Sequence, residues 1–140
     1  MQTFAAGTEV TCVAFDPAEN RVVAGTKGGS VKVWELESSR QTQTISAAHL
    51  TAVKALEFYP LARPSFLASG GADGVVHLWH LTSGERLGSH STHTAGGVSA
   101  LRFAPHGLAL VSGGADGKLV VRVAASPGLC FVCIICAAHS

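Results

Sequence analysis

A unit of a little over forty residues recurs along this chain, and that recurrence limits the architecture more than any other feature, because stacked copies of one unit dictate a repeat array. The stretch Leu67-Ala68-Ser69-Gly70-Gly71-Ala72-Asp73-Gly74-Val75-Val76-His77-Leu78-Trp79 aligns without a gap on Leu110 to Arg122. Both carry Ser-Gly-Gly-Ala-Asp-Gly followed by apolar alternation. An earlier copy, Val22 to Trp34, keeps the glycines, the alternation and the tryptophan. Upstream of each copy lies a second matching run: Val10 to Phe15, Val53 to Phe58 and Val98 to Phe103. The phenylalanines that close these runs are 43 and 45 residues apart.

That spacing falls in the ~40 to 45 residue period of four-stranded propeller blades. Runs rich in Val, Leu and Phe alternate with turn chemistry, and no helical stripe appears, so the unit reads as all β. Pro17, Pro60 and Pro105 follow the first strand of each unit and mark loops, since proline cannot donate to a sheet ladder. Asp73-Gly74, Asp116-Gly117 and Gly28-Gly29 are expected to supply the two positive-φ positions of a tight hairpin. In the inner strand, Val53, Ala55 and Glu57 are expected on one face and Leu56 and Phe58 on the other. Both faces are apolar, so such a strand needs a sheet on each side.

The expected fold is a partial β-propeller of about three four-stranded antiparallel blades with the ring not closed. One region covers 1–140, with repeats at about 5–36, 49–81 and 93–123. Residues 124–140 are expected to hold the third blade's outer strand, Leu129 to Ile135, and the start of a truncated fourth repeat. Cys136-Ala137-Ala138-His139 echoes Ser46-Ala47-Ala48-His49, the loop that opens the second repeat. Propellers usually close with ~4 to 8 blades. Three blades therefore imply a fragment of a longer propeller or a subunit that borrows blades, and open apolar faces that favour self-association.

The residues quoted resemble the WD-repeat family of β-propellers, whose repeats run from a His-bearing loop through three strands to a Trp. The resemblance implies a structural hydrogen-bonding tetrad at His49, Ser69, Asp73 and Trp79, tying the His loop to the hairpin turn. In the third repeat His93, Ser112 and Asp116 match and Arg122 replaces the Trp. In the first only Trp34 survives, with Ala6, Ala24 and Gly28 at the other places, so these two blades are expected to be less rigid. The closing dipeptide departs from the family's Trp-Asp, reading Trp34-Glu35 and Trp79-His80.

Other chemistries fare poorly. Ten Lys plus Arg against nine Asp plus Glu leave a net charge of +1, which offers no basic stripe to a phosphate backbone and makes nucleic acid a poor partner. The longest apolar run, Leu129 to Ala138, is half the ~20 residues a membrane-spanning helix needs. The first residues lack the charged and apolar regions of a secretory signal, so a cytoplasmic chain with reduced thiols is expected. Cys130, Cys133 and Cys136, with His139, have metal-ligand spacing. An extended strand would point Cys133 away from the other two, and a metal-binding tail is the lesser alternative. No nucleophile elbow is present, and Gly70-Gly71 and Gly113-Gly114 lack the Gly-Lys-Ser/Thr ending of a phosphate loop. No catalytic residue, cofactor or metal is expected.

What remains is surface, and protein binding is the default for such a scaffold. Lys27, Ala72 and Ala115 before the hairpin turns, with Thr11, Lys54 and Ser99 at the inner-strand starts, are the contact candidates. Within the WD-repeat proteins, residues 10 to 123 resemble the regulatory, non-catalytic subunit of katanin, most distinctively from Val13 to Glu19 and from Gly29 to Glu37. That resemblance implies a targeting role with microtubules or a severing ATPase as partners and a cytoskeletal association. It also implies that the separate domain gripping the ATPase is missing. The alternative is an adaptor in another assembly, such as a ubiquitin ligase or a trafficking coat.

Overall fold

A computed structural model describes residues 1–61, 65–91, 93–94, 96–125 and 130–137, without side chains for 123–125 and 130–137. Strands β1 (Val10–Phe15), β2 (Arg21–Thr26), β3 (Val31–Glu35) and β4 (Arg40–Ile45) form the first sheet. The second contains β5 (Val53–Phe58), β6 (Phe66–Gly71), β7 (Val75–His80) and β8 (Glu85–Ser91). The third contains β9 (Val98–Phe103), β10 (Ala109–Gly114), β11 (Lys118–Ala125) and β12 (Cys130–Ala137). Each sheet is a four-stranded antiparallel meander in sequence order, and the three are not joined into a closed ring. The chain is thus all β, a partial propeller.

The blades stack through their inner strands, with β1 against β5 and β5 against β9. Two apolar cores lie between them. Val23, Val31 and Val33 of the first blade meet Val53, Leu56, Phe58 and Leu67 of the second. Ala55, Ala68, Val76 and Leu78 of the second meet Val98, Leu101, Phe103 and Leu110 of the third. Burying each large side chain here is worth about 1.5 to 3 kcal/mol. Each blade therefore owes its stability to the blade beside it.

Three expectations need correction. Val53 does not share a face with Ala55 and Glu57: it packs toward the first blade with Leu56 and Phe58, while Ala55 packs toward the third. The cause is a bulge between Val53 and Ala55, where one extra residue reverses the alternation. The same irregularity falls between Val10 and Cys12.

The hairpin turns do not place two residues at positive φ. Only the second residue is left-handed, at Gly29, Gly74 and Gly117. Each turn is closed by one short bond, Gly29 N to Thr26 O, Gly74 N to Gly71 O and Gly117 N to Gly114 O, at 3.1 to 3.2 Å. A tight turn followed by one left-handed residue needs a single glycine.

Among the described residues the third blade's outer strand is Cys130–Ala137, so its pairing runs past the expected end at Ile135. Cys136 and Ala137, read above as loop, pair with Leu119 and Lys118, because β11 is long enough to offer them ladder partners. Leu129, Ala138 and His139 lie outside the described residues. The cysteine tail is therefore strand backbone, paired at Cys130 with Ala125 and at Cys133 with Arg122.

Candidate functional site

The second blade contains one continuous buried polar relay. Trp79, near the end of β7, donates Nε1–H to Ser69 Oγ at 2.8 Å. Ser69 in β6 lies 2.8 Å from His49 Nε2, and His49 Nδ1 lies 3.3 Å from Asp73 Oδ1. Asp73 also accepts the Val75 N–H at 3.1 Å, which fixes the carboxylate at the turn. With His49 protonated on Nδ1, every donor points the same way: Trp79 to Ser69, Ser69 to His49, His49 to Asp73. A buried polar group is tolerated only when it is paired, so this relay is satisfied at each of these links.

The third blade repeats most of it. His93 Nε2 is 2.9 Å from Ser112 Oγ and His93 Nδ1 is 3.0 Å from Asp116 Oδ1. Asp116 also accepts the N–H groups of Thr94 at 3.1 Å and Lys118 at 3.0 Å. Desolvation pushes the Asp116 carboxyl up, but these bonds from His93, Thr94 and Lys118 outweigh it and hold it at about 2. Arg122 is buried at the tryptophan position. In the first blade Trp34 packs instead with Ala6 and Ala24 and tilts against Phe4, with ring centroids 5.8 Å apart.

Ser69, His49 and Asp73 have the connectivity of a nucleophilic triad, but the environment denies them that chemistry. Ser69 has no solvent exposure and its oxygen already accepts the Trp79 N–H. A nucleophile needs an approach path to a substrate carbonyl. The relay instead ties the loop before β5 to the β6–β7 turn.

Residues outside the relay also matter. His77 is buried beside the relay, its ring 4.6 Å from His49 and 5.5 Å from Trp79. Burial and the neighbouring His49 push His77 down to about 4, and burial also lowers His49. Alternation in β7 alone places His77 on the Trp79 face, but nothing in the sequence marks it as buried. Asp16, also buried, accepts the N–H of Asn20 at 2.7 Å and of Arg21 at 3.0 Å, and its carboxylate meets Arg21 Nε at 3.3 Å. Arg21 continues to Ser65 and lies 5.9 Å over the Phe58 ring, clamping the first blade to the second. No repeat partner signals that clamp, since Tyr59 and Ala104 stand where Asp16 does.

The low His77 and His49 values have a pH consequence. Both lie below the ordinary 6.5, so the unfolded chain takes up protons that the folded protein refuses. Stability is full above about pH 6.5 and falls as the pH drops toward 4. His77→Leu should flatten that fall, read as the urea midpoint between neutral and mildly acidic pH. An equal fall in wild type and variant would remove His77 from the account.

The six contact candidates gather along one edge of the stacked blades. Lys27 N donates to Glu9 O at 3.0 Å, Ala72 N to Ala52 O at 2.9 Å and Ala115 N to Gly97 O at 3.2 Å, so each turn sits against the start of its own inner strand. His49 N to Gly29 O and His93 N to Gly74 O, both 3.0 Å, join the first two turns to the next blade. Thr11, Lys27, Lys54, Ser99 and Ala115 are exposed, and Ala72 half-buried. Thr11 bonds Gly25 O at 3.1 Å and also Val53 O, and Ser99 bonds Gly113 O at 3.1 Å, so both hydroxyls are committed to the scaffold. Lys27 faces Glu9 at 3.5 Å in open solvent, where screening leaves such a pair weak.

Known proteins share this architecture. The family model "WD domain, G-beta repeat" matches residues 1–35, 40–80 and 84–121. RACK1 of Neurospora crassa, a small ribosomal subunit protein, is 36% identical over 99 residues, covering 69% of this chain and 30% of that protein. The cilia- and flagella-associated protein 337 B of Tetrahymena thermophila is 25% identical over 114 residues, covering 81% of this chain and 9% of that protein. This chain thus spans less than a third of the length of either. Among solved structures, the RRP9 WD40 repeats superpose with a TM-score of 0.80 at 23% identity, over 92% of this chain and 39% of that one.

Proposed function

We propose that this chain, which belongs to the WD-repeat family, is a non-catalytic scaffold that binds another protein along the edge where its hairpin turns and inner-strand starts converge. Proteins of this family act as scaffolds and adaptors, and the relative RACK1 is named as part of a ribosomal subunit. The observation that carries the reading is the hydrogen-bonded row of turns and inner-strand starts, in which Lys27, Lys54 and Ala115 are exposed on a backbone held rigid by neighbouring blades. Side chains placed on rigid elements bind with less ordering cost than those on free loops.

The finer form of this proposal is a targeting part of a katanin-type severing complex, located in the cytoplasm and on the cytoskeleton. The resemblance over residues 10 to 123 supports it, as does the relative named for cilia and flagella. An adaptor role in another assembly is the alternative.

Microtubule co-pelleting of the purified chain, with an AAA-type ATPase added, separates the two forms. Retention of both favours the severing complex, and retention of neither favours another assembly. The general reading is tested by Lys27→Glu combined with Lys54→Glu, which should weaken capture of the specific partners at least about tenfold, or 1.4 kcal/mol. Glu37→Lys at the opposite edge should leave capture unchanged. Equal loss in both variants, or in neither, would overturn the assignment of the binding edge.

A further inference from the structure

Two interlocking faces recur inside this chain, and one copy of each is left without its counterpart. Val53 of the second blade enters a notch at Gly25 of the first, where an added Cβ would lie 2.6 Å from Val53 Cγ1. Val98 of the third enters the matching notch at Gly70 of the second, again at 2.6 Å. Around the third member of this series, Gly113, nothing among the described residues lies within 4 Å of the Cβ position. Its missing knob has an equivalent at the other end of the chain. Val10 holds the position of Val53 and Val98, and it is 45% exposed where they are wholly buried.

The surrounding residues tell the same story. Val13 and Phe15 are 65% and 63% exposed, whereas Leu56, Phe58, Leu101 and Phe103 at the same repeat positions are buried. With Val10, Val22 and Trp34, Val13 lines an open apolar cavity of about 170 Å³. It exists because Ala6 and Ala24 stand where the second blade has the bulkier His49 and Ser69. On the outward face of the third blade, Leu119 is 40% exposed and Val111 and Val121 are half-buried. Their counterparts Val23, Val31 and Val33, and Ala68, Val76 and Leu78, are all buried under the next blade.

We propose that the open face of the first blade docks against the open face of the third blade in a second copy of this chain. Val10 then enters the Gly113 notch, and Val13 and Phe15 cover Val111, Leu119 and Val121. The occupant is a second copy because the required surface is present on the chain itself, in the geometry already used twice between its own blades. Such a contact is head-to-tail, joining two different patches rather than one patch to itself. Two copies supply six blades, inside the range of about 4 to 8 in which these rings close. The inference rests on the blade faces and is independent of the partner-binding edge.

Sedimentation and light scattering of the 140-residue chain test it. Wild type should associate as concentration rises, and Phe15→Asp and Leu119→Asp should each remain at the monomer mass of 14.3 kDa. Both positions are exposed, so folding should survive, and β-sheet circular dichroism checks that it does. Should either variant unfold, Val13→Lys or Val111→Lys replaces it on the same face. An equimolar mixture of the two variants should double in mass, since one chain keeps an intact first-blade face and the other an intact third-blade face. A monomeric wild type, an association that survives either substitution, or a mixture that stays monomeric would each overturn the proposal.

Discussion

Gly74→Ala should unfold the contact between the second and third blades and lower stability by more than about 4 kcal/mol. Gly74 lies at φ +81°, where a non-glycine residue costs roughly 1 to 2 kcal/mol. More important, an added Cβ would fall 1.8 Å from the His93 carbonyl oxygen, and backbone must shift to admit it. That shift would displace the His93 N–H that donates to Gly74 O at 3.0 Å, together with the loop feeding the His93 to Asp116 relay. Gly117→Ala is the internal control. It has nearly the same φ, +79°, but nothing among the described residues within 4 Å of its Cβ position, so it should cost only the roughly 1 to 2 kcal/mol of backbone strain. Equal losses in chemical denaturation would mean that blade apposition is not what Gly74 serves.

Ser69→Ala should cost about 2 to 5 kcal/mol, because a single hydroxyl joins two buried groups. Its removal leaves Trp79 Nε1–H and His49 Nε2 without the partner each now has at 2.8 Å, and an unsatisfied buried group costs about 1 to 3 kcal/mol. Trp79→Phe deletes the first of those donors. The double variant Ser69→Ala with Trp79→Phe should therefore lose less than the sum of the two singles by about 1 to 2 kcal/mol. Additive losses would show that the two side chains are not coupled through Ser69.

The candidate relay was legible through the resemblance to WD-repeats, which assigns His49, Ser69, Asp73 and Trp79 their places once the repeat is in register. His49, Ser69, Asp73 and Trp79 occupy a register set by strand lengths and turn chemistry, which local sequence encodes. The burial of His77 was not legible, because alternation assigns a face and says nothing about what covers it. The Arg21 to Asp16 clamp escaped for another reason: it occurs once, and a periodic reading finds only what recurs.

By itself the sequence determined the repeated unit and its four-stranded meander, and the resemblance it carries placed the polar positions of the His loop and the turn. All of these depend on interactions within one blade or on backbone preferences a few residues long. Only the tertiary structure decided which way Val53 turns, since a bulge between Val53 and Ala55 reverses a face that strict alternation would assign. It also decided that near-equivalent residues live in opposite environments: Phe58 buried and Phe15 exposed, Gly70 filled by Val98 and Gly113 empty. The physical reason is that burial belongs to a pair of surfaces. A strand carries its own apolar pattern in its sequence, but the blade that covers it lies some forty residues away.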